Sequence, residues 1–375
     1  MKVLLISPYH GGSHKAWAEG YQKYSRHHLL LLTLPARYWK WRMHGGAVSL
    51  AREFAASNFE PDVIVATDML DLSTFLSLTR DRTAGIPIVL YMHENQLTYP
   101  LPKDPESGPM RRQHGERDLH YAFINYASML SAHRVVFNSE FHRRSFFDAL
   151  PGFLNHFPEF REEQTVGQLQ KRSLVLPVGL NLEELETRTA PPERQLPLIL
   201  WNQRWEYDKN PEAFFRAMLA LAREGIPFEL AVCGESFQQP PDIFDSAARQ
   251  LNSQVIHWGY ARQDLYRRLL WEATLTVSTA HHEFFGISIL EAAYCQTLPL
   301  VPNRLSYPEI LPTAFHEPCL YDGEVELLEL LKQALENPQS TRKTAQALAI
   351  QVENYNWKKW APEYDRLLEE LQPIN

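Results

Sequence analysis

Cysteine is scarce: Cys233, Cys295 and Cys319 are the only three in 375 residues, and no pair has C-x-x-C spacing. That excludes a disulfide framework and a thiolate zinc site, and it suits a reducing cytoplasm. Long apolar runs are missing too. KVLLIS near the start is too short for a secretory signal core, and HHLLLLTL has the length of a strand, not of a membrane span. The expectation is a cytoplasmic, untargeted protein with no membrane. D-x-D does not occur, so no two-aspartate loop is available for a divalent metal. G-x-G-x-x-G, short-period repeats and low-complexity tracts are absent as well, and the sequence sets no oligomeric state.

What remains is long enough for two cores, since 375 residues exceed what one usually serves. Val/Ile/Leu-rich runs alternate with segments of helical period. KVLLIS, HLLLLTL, DVIVATD, IPIVLYM, RVVFNS and SLVLPVG read as buried parallel strands, and the series restarts with LPLILW, FELAVCG, VIHWG, LTVST and LPLVP. In NPEAFFRAMLALAREG, Phe214, Met218 and Leu221 share a helical face and Gly225 marks the stop. The pattern predicts two doubly wound α/β domains. The polar, proline-bearing LNLEELETRTAPPERQLP marks their join, so we expect one Rossmann-like domain over residues 1–180 and another over 181–355. The Trp-rich tail, 356–375, reads as a helix with no strand after it, free to pack back on the first domain.

Charge divides unevenly. The net of −8 conceals +3 over residues 1–180, which also hold eleven of the 15 histidines, and −11 over the rest. Drift between two domains explains this as readily as two different partners do.

EFFGISILE places Glu283 and Glu291 around Gly286, just after a strand. With a helix starting near Gly286, Glu283 lies in the loop before it and Glu291 on its second turn, where both reach hydroxyls of a ligand whose phosphates meet the free helix amides. WNQRWEYDKNP puts Arg204 and Lys209 after the first strand of the second domain, at the carboxyl end where ligands of open α/β sheets bind. Two fixed cations there suit a diphosphate that gains charge as it departs. Taken singly, the glutamates also suit a solvated helix face, and the cations suit surface charges paired with Glu206 and Asp208.

Together these motifs resemble the retaining glycosyltransferases of family 4, with the GT-B fold: two Rossmann-like domains facing a cleft and a C-terminal helix crossing back to the first. The resemblance implies that Arg204 and Lys209 hold the diphosphate of a sugar nucleotide, that Glu283 contacts the donor sugar and that Glu291 contacts the ribose. It extends donor binding to Gly234 and Tyr260, in the loops CGE and HWGY, and to Phe285, Gly286 and Ile287. In the first domain it adds Gly11 and Gly12 of SPYHGGSH, whose backbone can approach phosphate closely, and His93 of YMHENQLTYP, near the reacting sugar. Asp68, ending ATD, is a further catalytic candidate, although a helix N-cap reads equally well there. SPYHGGSH, ATDMLDL, YMHENQLTYP and FNSEFHRRSF together are similar to one branch, the tRNA-queuosine α-mannosyltransferases. That branch implies GDP-mannose as donor and queuosine-containing tRNA as acceptor, while the missing D-x-D loop and the two cations Arg204 and Lys209 lead us to expect no metal and no cofactor. A lipid, polysaccharide or small-molecule acceptor is the alternative, although the first domain shows no clear basic amphipathic helix for a membrane.

A tRNA acceptor gives RYWKWRMHGG a purpose. Arg37, Lys40 and Arg42 can meet phosphates while Tyr38, Trp39 and Trp41 offer faces to unpaired bases, and Arg111, Arg112, Arg143 and Arg144 widen the positive field. The competing reading is that the tryptophans wedge a loop onto the core.

Overall fold

The computed structural model describes residues 1–100, 119–186, 194–234 and 241–371. The chain divides into two compact units, Met1–Leu180 with Tyr355–Asn375, and Asn181–Asn354.

In the first unit β1 (Lys2–His10), β2 (His28–Pro35), β3 (Val63–Thr67), β4 (Ile88–Met92), β5 (Arg134–Phe137) and β6 (Ser173–Val175) form one sheet, ordered β2-β1-β3-β4-β5-β6. Every pairing is parallel. Helices cover both faces of such a sheet, so VIVAT and IVLYM are buried at every position and show no alternation. In the second unit β7 (Leu198–Asn202), β8 (Glu229–Cys233), β9 (Val255–Gly259), β10 (Leu275–Val277), β11 (Leu298–Pro302) and β12 (Leu320–Tyr321) lie in the order β12-β11-β10-β7-β8-β9, again all parallel.

Each sheet reverses its winding once, between β1 and β3 in the first unit and between β7 and β10 in the second. Where the order reverses, loops leaving the carboxyl ends diverge and open a crevice. The Arg204–Lys209 and Glu283–Gly286 segments follow β7 and β10 respectively, so the switch point brings them together.

The helix Pro211–Arg223 begins with proline, whose missing amide costs nothing there, and buries Phe214, Met218 and Leu221 completely. Gly225 turns the chain out at φ +73°. The tail forms the helix Trp357–Glu369 and packs on the helix Gly12–Tyr24 of the first unit. Its Asp365 accepts hydrogen bonds from Tyr21 Oη at 2.8 Å, Ser25 Oγ at 2.5 Å and the Arg26 amide at 2.9 Å. Among the described residues no helix is long and apolar enough to cross a membrane.

Candidate functional site

Four neighbouring strands of the second sheet, β10, β7, β8 and β9, each contribute a predicted residue at or just beyond the carboxyl end. After β7 the chain makes a 3-10 turn, Tyr207–Lys209, and Asn210 takes the left-handed conformation at φ +52° before the next helix. This tight turn points Lys209 inward, where it is 6% exposed. Its Nζ donates to the His282 carbonyl at 2.9 Å and to Glu283 Oε2 at 3.2 Å, and it lies 3.3 Å from Asp208 Oδ2. Arg204 stays exposed, 3.6 Å from Glu206. The two loops are laced together: the His281 and His282 amides donate to the Asp208 carbonyl at 2.8 and 3.3 Å, and Thr279 Oγ1 donates to the carbonyls of Lys209 and Asn210 at 3.0 and 2.8 Å.

The electrostatics follow from this packing. Burial pulls the Glu283 and Asp208 carboxyls upward, but the Lys209 ammonium overrides it and holds both below the usual carboxylate range. Burial alone would lower Lys209, yet Glu283 and Asp208 raise it. The trio is therefore fully ionised at neutral pH. His282, buried and facing Lys209, is pushed down to about 4 and stays neutral.

Gly286 caps the helix Ile287–Tyr294 at φ +102°, a conformation that favours glycine. A Cβ there would also stand 3.1 Å from Ile310 and 3.3 Å from Tyr307. The first amides of this helix have no partner within it, leaving a positive end for a ligand anion. Phe285 is buried and half-buried Ile287 opens the helix. Gly234, at φ +128° after β8, sits so close to the β7 loop that a Cβ would meet the Gln203 carbonyl at 2.3 Å and the Trp205 ring at 3.0 Å. Glu235, next in the CGE loop, lies outside the described residues. Tyr260, after β9, is 66% exposed.

Glu291 is held by a chain of groups that spacing does not reveal. Thr276 Oγ1 donates to Asn202 Oδ1 at 3.0 Å, Asn202 Nδ2 donates to the Ser288 carbonyl at 2.8 Å and to Tyr266 Oη at 3.4 Å, and Tyr266 donates to Glu291 Oε2 at 2.9 Å. Burial pushes the Glu291 carboxyl up to about 7, and the Tyr266 hydrogen bond opposes that rise. In the role the resemblance implies for Glu291, a carboxylate must be charged to accept hydrogen bonds from ribose hydroxyls on both oxygens. Donor kcat/KM is therefore expected to fall as pH drops through 7. In Tyr266→Phe the charged form loses its donor, so the acid limb moves to higher pH and donor KM at pH 7 rises about tenfold, the worth of a hydrogen bond to a charged group. A pH profile of Tyr266→Phe that superimposes on wild type would remove Tyr266 from this role.

In the first unit Gly11 precedes the helix Gly12–Tyr24, and a Cβ on it would stand 2.4 Å from Ala36 Cβ, after β2. Gly12 has φ +51° and open space around it. Asp68 directly follows β3 and is 1% exposed. It does not cap a helix: Asp71 does, accepting the Thr74 amide at 2.9 Å, whereas Asp68 Oδ1 accepts the His93 amide at 2.9 Å and so fixes the loop after β4. Burial, with the charge of Glu94, holds the Asp68 carboxyl well above its usual range. His93 is 8% exposed, with the rings of His14 at 4.2 Å, Tyr91 at 4.8 Å and Trp17 at 4.9 Å. Burial and the neighbouring His14 and His142 hold it well below an ordinary histidine, so its ring is a neutral hydrogen-bonding group. Asn138 Nδ2 donates to its carbonyl at 2.9 Å and is itself placed by His142.

A helix, Trp39–Ala56, begins within the aromatic stretch. Trp39 turns inward against Tyr121 at 5.1 Å, in a cluster with Met43, Met69 and Ile124, as the wedge reading holds. Tyr38 and Trp41 stay outside. Lys40 lies over the Trp39 ring, and Arg42 Nε donates to the Pro35 carbonyl at 3.0 Å. Arg37 and Arg144 are exposed, whereas Arg143 makes a two-pronged pair with Glu140 at 2.8 Å, on its own helix. Arg111 and Arg112 lie outside the described residues.

Two Rossmann-like units, one carrying two cations and two carboxylates at its switch point, define a GT-B glycosyltransferase. Family models bear this out along the chain: residues 2–180 match the tRNA-queuosine alpha-mannosyltransferase N-terminal family and residues 184–351 match glycosyl transferases group 1. A tRNA-queuosine alpha-mannosyltransferase from Drosophila melanogaster is 33% identical over 372 residues, covering 96% of this chain and 93% of that protein. The chain belongs to the tRNA-queuosine alpha-mannosyltransferase family. Among solved structures, sucrose-phosphate synthase from Thermosynechococcus elongatus matches with TM-score 0.70 at 15% identity over 99% of this chain and 98% of its own. Anabaena HepE in complex with UDP matches with TM-score 0.67 at 14% identity, covering 99% and 100%. At such identities these two report the fold.

Proposed function

We propose that this chain transfers mannose from GDP-mannose to the cyclopentenediol of queuosine at the tRNA wobble position, with retention at the sugar and without a metal ion. The likeness to the Drosophila protein, which runs through 96% of the chain, carries this reading. The second unit supports it chemically. Arg204 and Lys209 take the charge that grows on the departing diphosphate, helped by the amides at Gly286 and Ile287. Glu283, kept ionised by Lys209, accepts hydrogen bonds from the sugar, and Glu291 accepts them from the ribose. Gly234 and Tyr260 border the base. In the first unit the backbone of Gly11 and Gly12 meets phosphate, with open space at Gly12, and His93, kept neutral by burial, hydrogen-bonds the sugar under transfer. Asp68 is a positioning residue that acts through the His93 amide. Retention is consistent with same-face attack, in which the leaving phosphate accepts the acceptor's proton, and the site's carboxylates are engaged elsewhere.

The test is mass analysis of nucleosides from queuosine-containing tRNA incubated with the protein and a panel of sugar nucleotides. Queuosine should gain one hexose with GDP-mannose and none with UDP-glucose, and tRNA lacking queuosine should stay unmodified. The same transfer should proceed undiminished in EDTA, because two fixed cations occupy the role a metal would serve. Activity that disappears with the chelator and returns with magnesium or manganese would defeat the metal-free assignment. Hexose addition to a lipid or to a free saccharide, with none to tRNA, would defeat the acceptor.

A further inference from the structure

We infer that the helix start from Tyr38 to Gly45 is a preformed platform that stacks an unpaired base of single-stranded RNA, with Trp41 as its face. The inference rests on the reading of the acceptor as tRNA. Trp41 is the one exposed tryptophan among the described residues, at 64%, and Tyr38 beside it is 80% exposed. Neighbouring exposed rings mark a surface at which a partner can dock.

The backbone and one glycine hold the rings in place. Tyr38 sits at φ +51° and ψ +57°, a left-handed conformation that is unfavourable for a tyrosine. It is locked there by the first helical hydrogen bond, Arg42 N to Tyr38 O at 3.1 Å, and by the Arg42 side chain on the Pro35 carbonyl. Trp41 lies over Gly45, one turn along the helix. A Cβ built on Gly45 would stand 2.7 Å from two atoms of the indole, Cε2 and Cζ2. Only glycine lets the ring settle there, backed by the helix on one side and open to solvent on the other. A base stacking on a ring already fixed loses less freedom than one stacking on a mobile ring.

The charge selects the partner. Residues 20–52 contain no Asp or Glu, while Arg37, Lys40 and Arg42 fall within or beside the platform. A polyanion with accessible π-faces fits this surface, and a base-paired helix, whose bases are stacked internally, offers no face to Trp41. The position also fits. Ala36 packs against Gly11, so the platform begins two residues on from the contact with the glycine turn at the carboxyl end of β1, within the same unit.

Binding of a fluorescein-labelled anticodon stem-loop RNA, and of a fully paired RNA duplex of equal charge, would be measured for wild type, Trp41→Ala and Gly45→Ala. Trp41→Ala should weaken stem-loop binding about tenfold and leave duplex binding unchanged, as expected for one lost base stack. Gly45→Ala adds a single methyl group, which displaces the ring while favouring the helix. Its stem-loop affinity should fall severalfold with a melting temperature at or above wild type. Wild-type stem-loop affinity in both variants, or an equal loss on stem-loop and duplex, would overturn the platform. If these variants bind normally while wild type glycosylates tRNA, the platform alone fails. If wild type binds neither RNA and glycosylates none, the acceptor reading fails and takes the platform with it.

Discussion

Arg204→Ala is expected to lower kcat about a hundredfold at saturating donor, equivalent to roughly 3 kcal/mol of lost stabilisation for a growing anion. Its melting temperature should match wild type, because the side chain is exposed and its neighbour Glu206 is partly solvated. Lys209→Ala should lose as much rate and also unfold more easily. Removing one member of a buried ionic group leaves the others uncompensated, at a cost of about 3 to 5 kcal/mol, and here two carboxylates, Asp208 and Glu283, lose their common partner. Glu283→Ala should abolish transfer yet keep most of the stability, since Lys209 retains Asp208. The sign of the pH dependence follows. Both carboxyls are depressed in the folded state, so their contribution is complete at neutral pH and is lost only as pH falls through the depressed values. Unchanged turnover in Arg204→Ala, measured at saturating donor, would end the assignment of the diphosphate to this loop.

What the sequence disclosed here was local. Arg204 and Lys209 leave β7 within seven residues, Glu283 and Glu291 flank one helix start, and strand order alone brings the two segments together. The supports of that site are not local. Tyr266 reaches Glu291 across 25 positions and Asn202 reaches Ser288 across 86, and hydrogen bonds at such separations impose no period on the sequence. Asp68 and Asp71 show the same limit at short range. Both precede the same helix, and only the hydrogen bond to Thr74 identifies Asp71 as the cap. In the aromatic stretch a left-handed Tyr38 starts the helix at once, which no spacing signals. That start sends Trp39 and Trp41 in different directions. β12, at two residues, is too short to print a pattern.

A stability effect as large as that of Lys209→Ala should come from two glycines outside the candidate site. Trp357, at the start of the last helix, is completely buried, and it lies against Gly20 and Gly179. A Cβ on Gly20 would stand 2.1 Å from its Nε1, and one on Gly179 would stand 2.2 Å from its Cδ2. Neither site can take a methyl group unless the indole leaves. The ring is further confined by Tyr21 at 6.1 Å and Tyr364 at 5.5 Å, and the backbone on either side is pinned where Leu180 N donates to Tyr355 O at 2.8 Å. Gly179→Ala should therefore cost about as much as deleting the tryptophan, roughly 3 to 5 kcal/mol. For a unit of this size that lowers the melting temperature by about 10 °C. Trp357→Leu should cost less than Gly179→Ala, because it removes bulk without forcing a clash. Combining Gly179→Ala with Trp357→Leu should then recover part of the loss, a non-additive result expected of residues in contact. A Gly179→Ala protein that melts with wild type would show that the tail helix is not fastened through Trp357. A double variant no more stable than Gly179→Ala alone would mean that the glycine is required by its backbone and not by the ring.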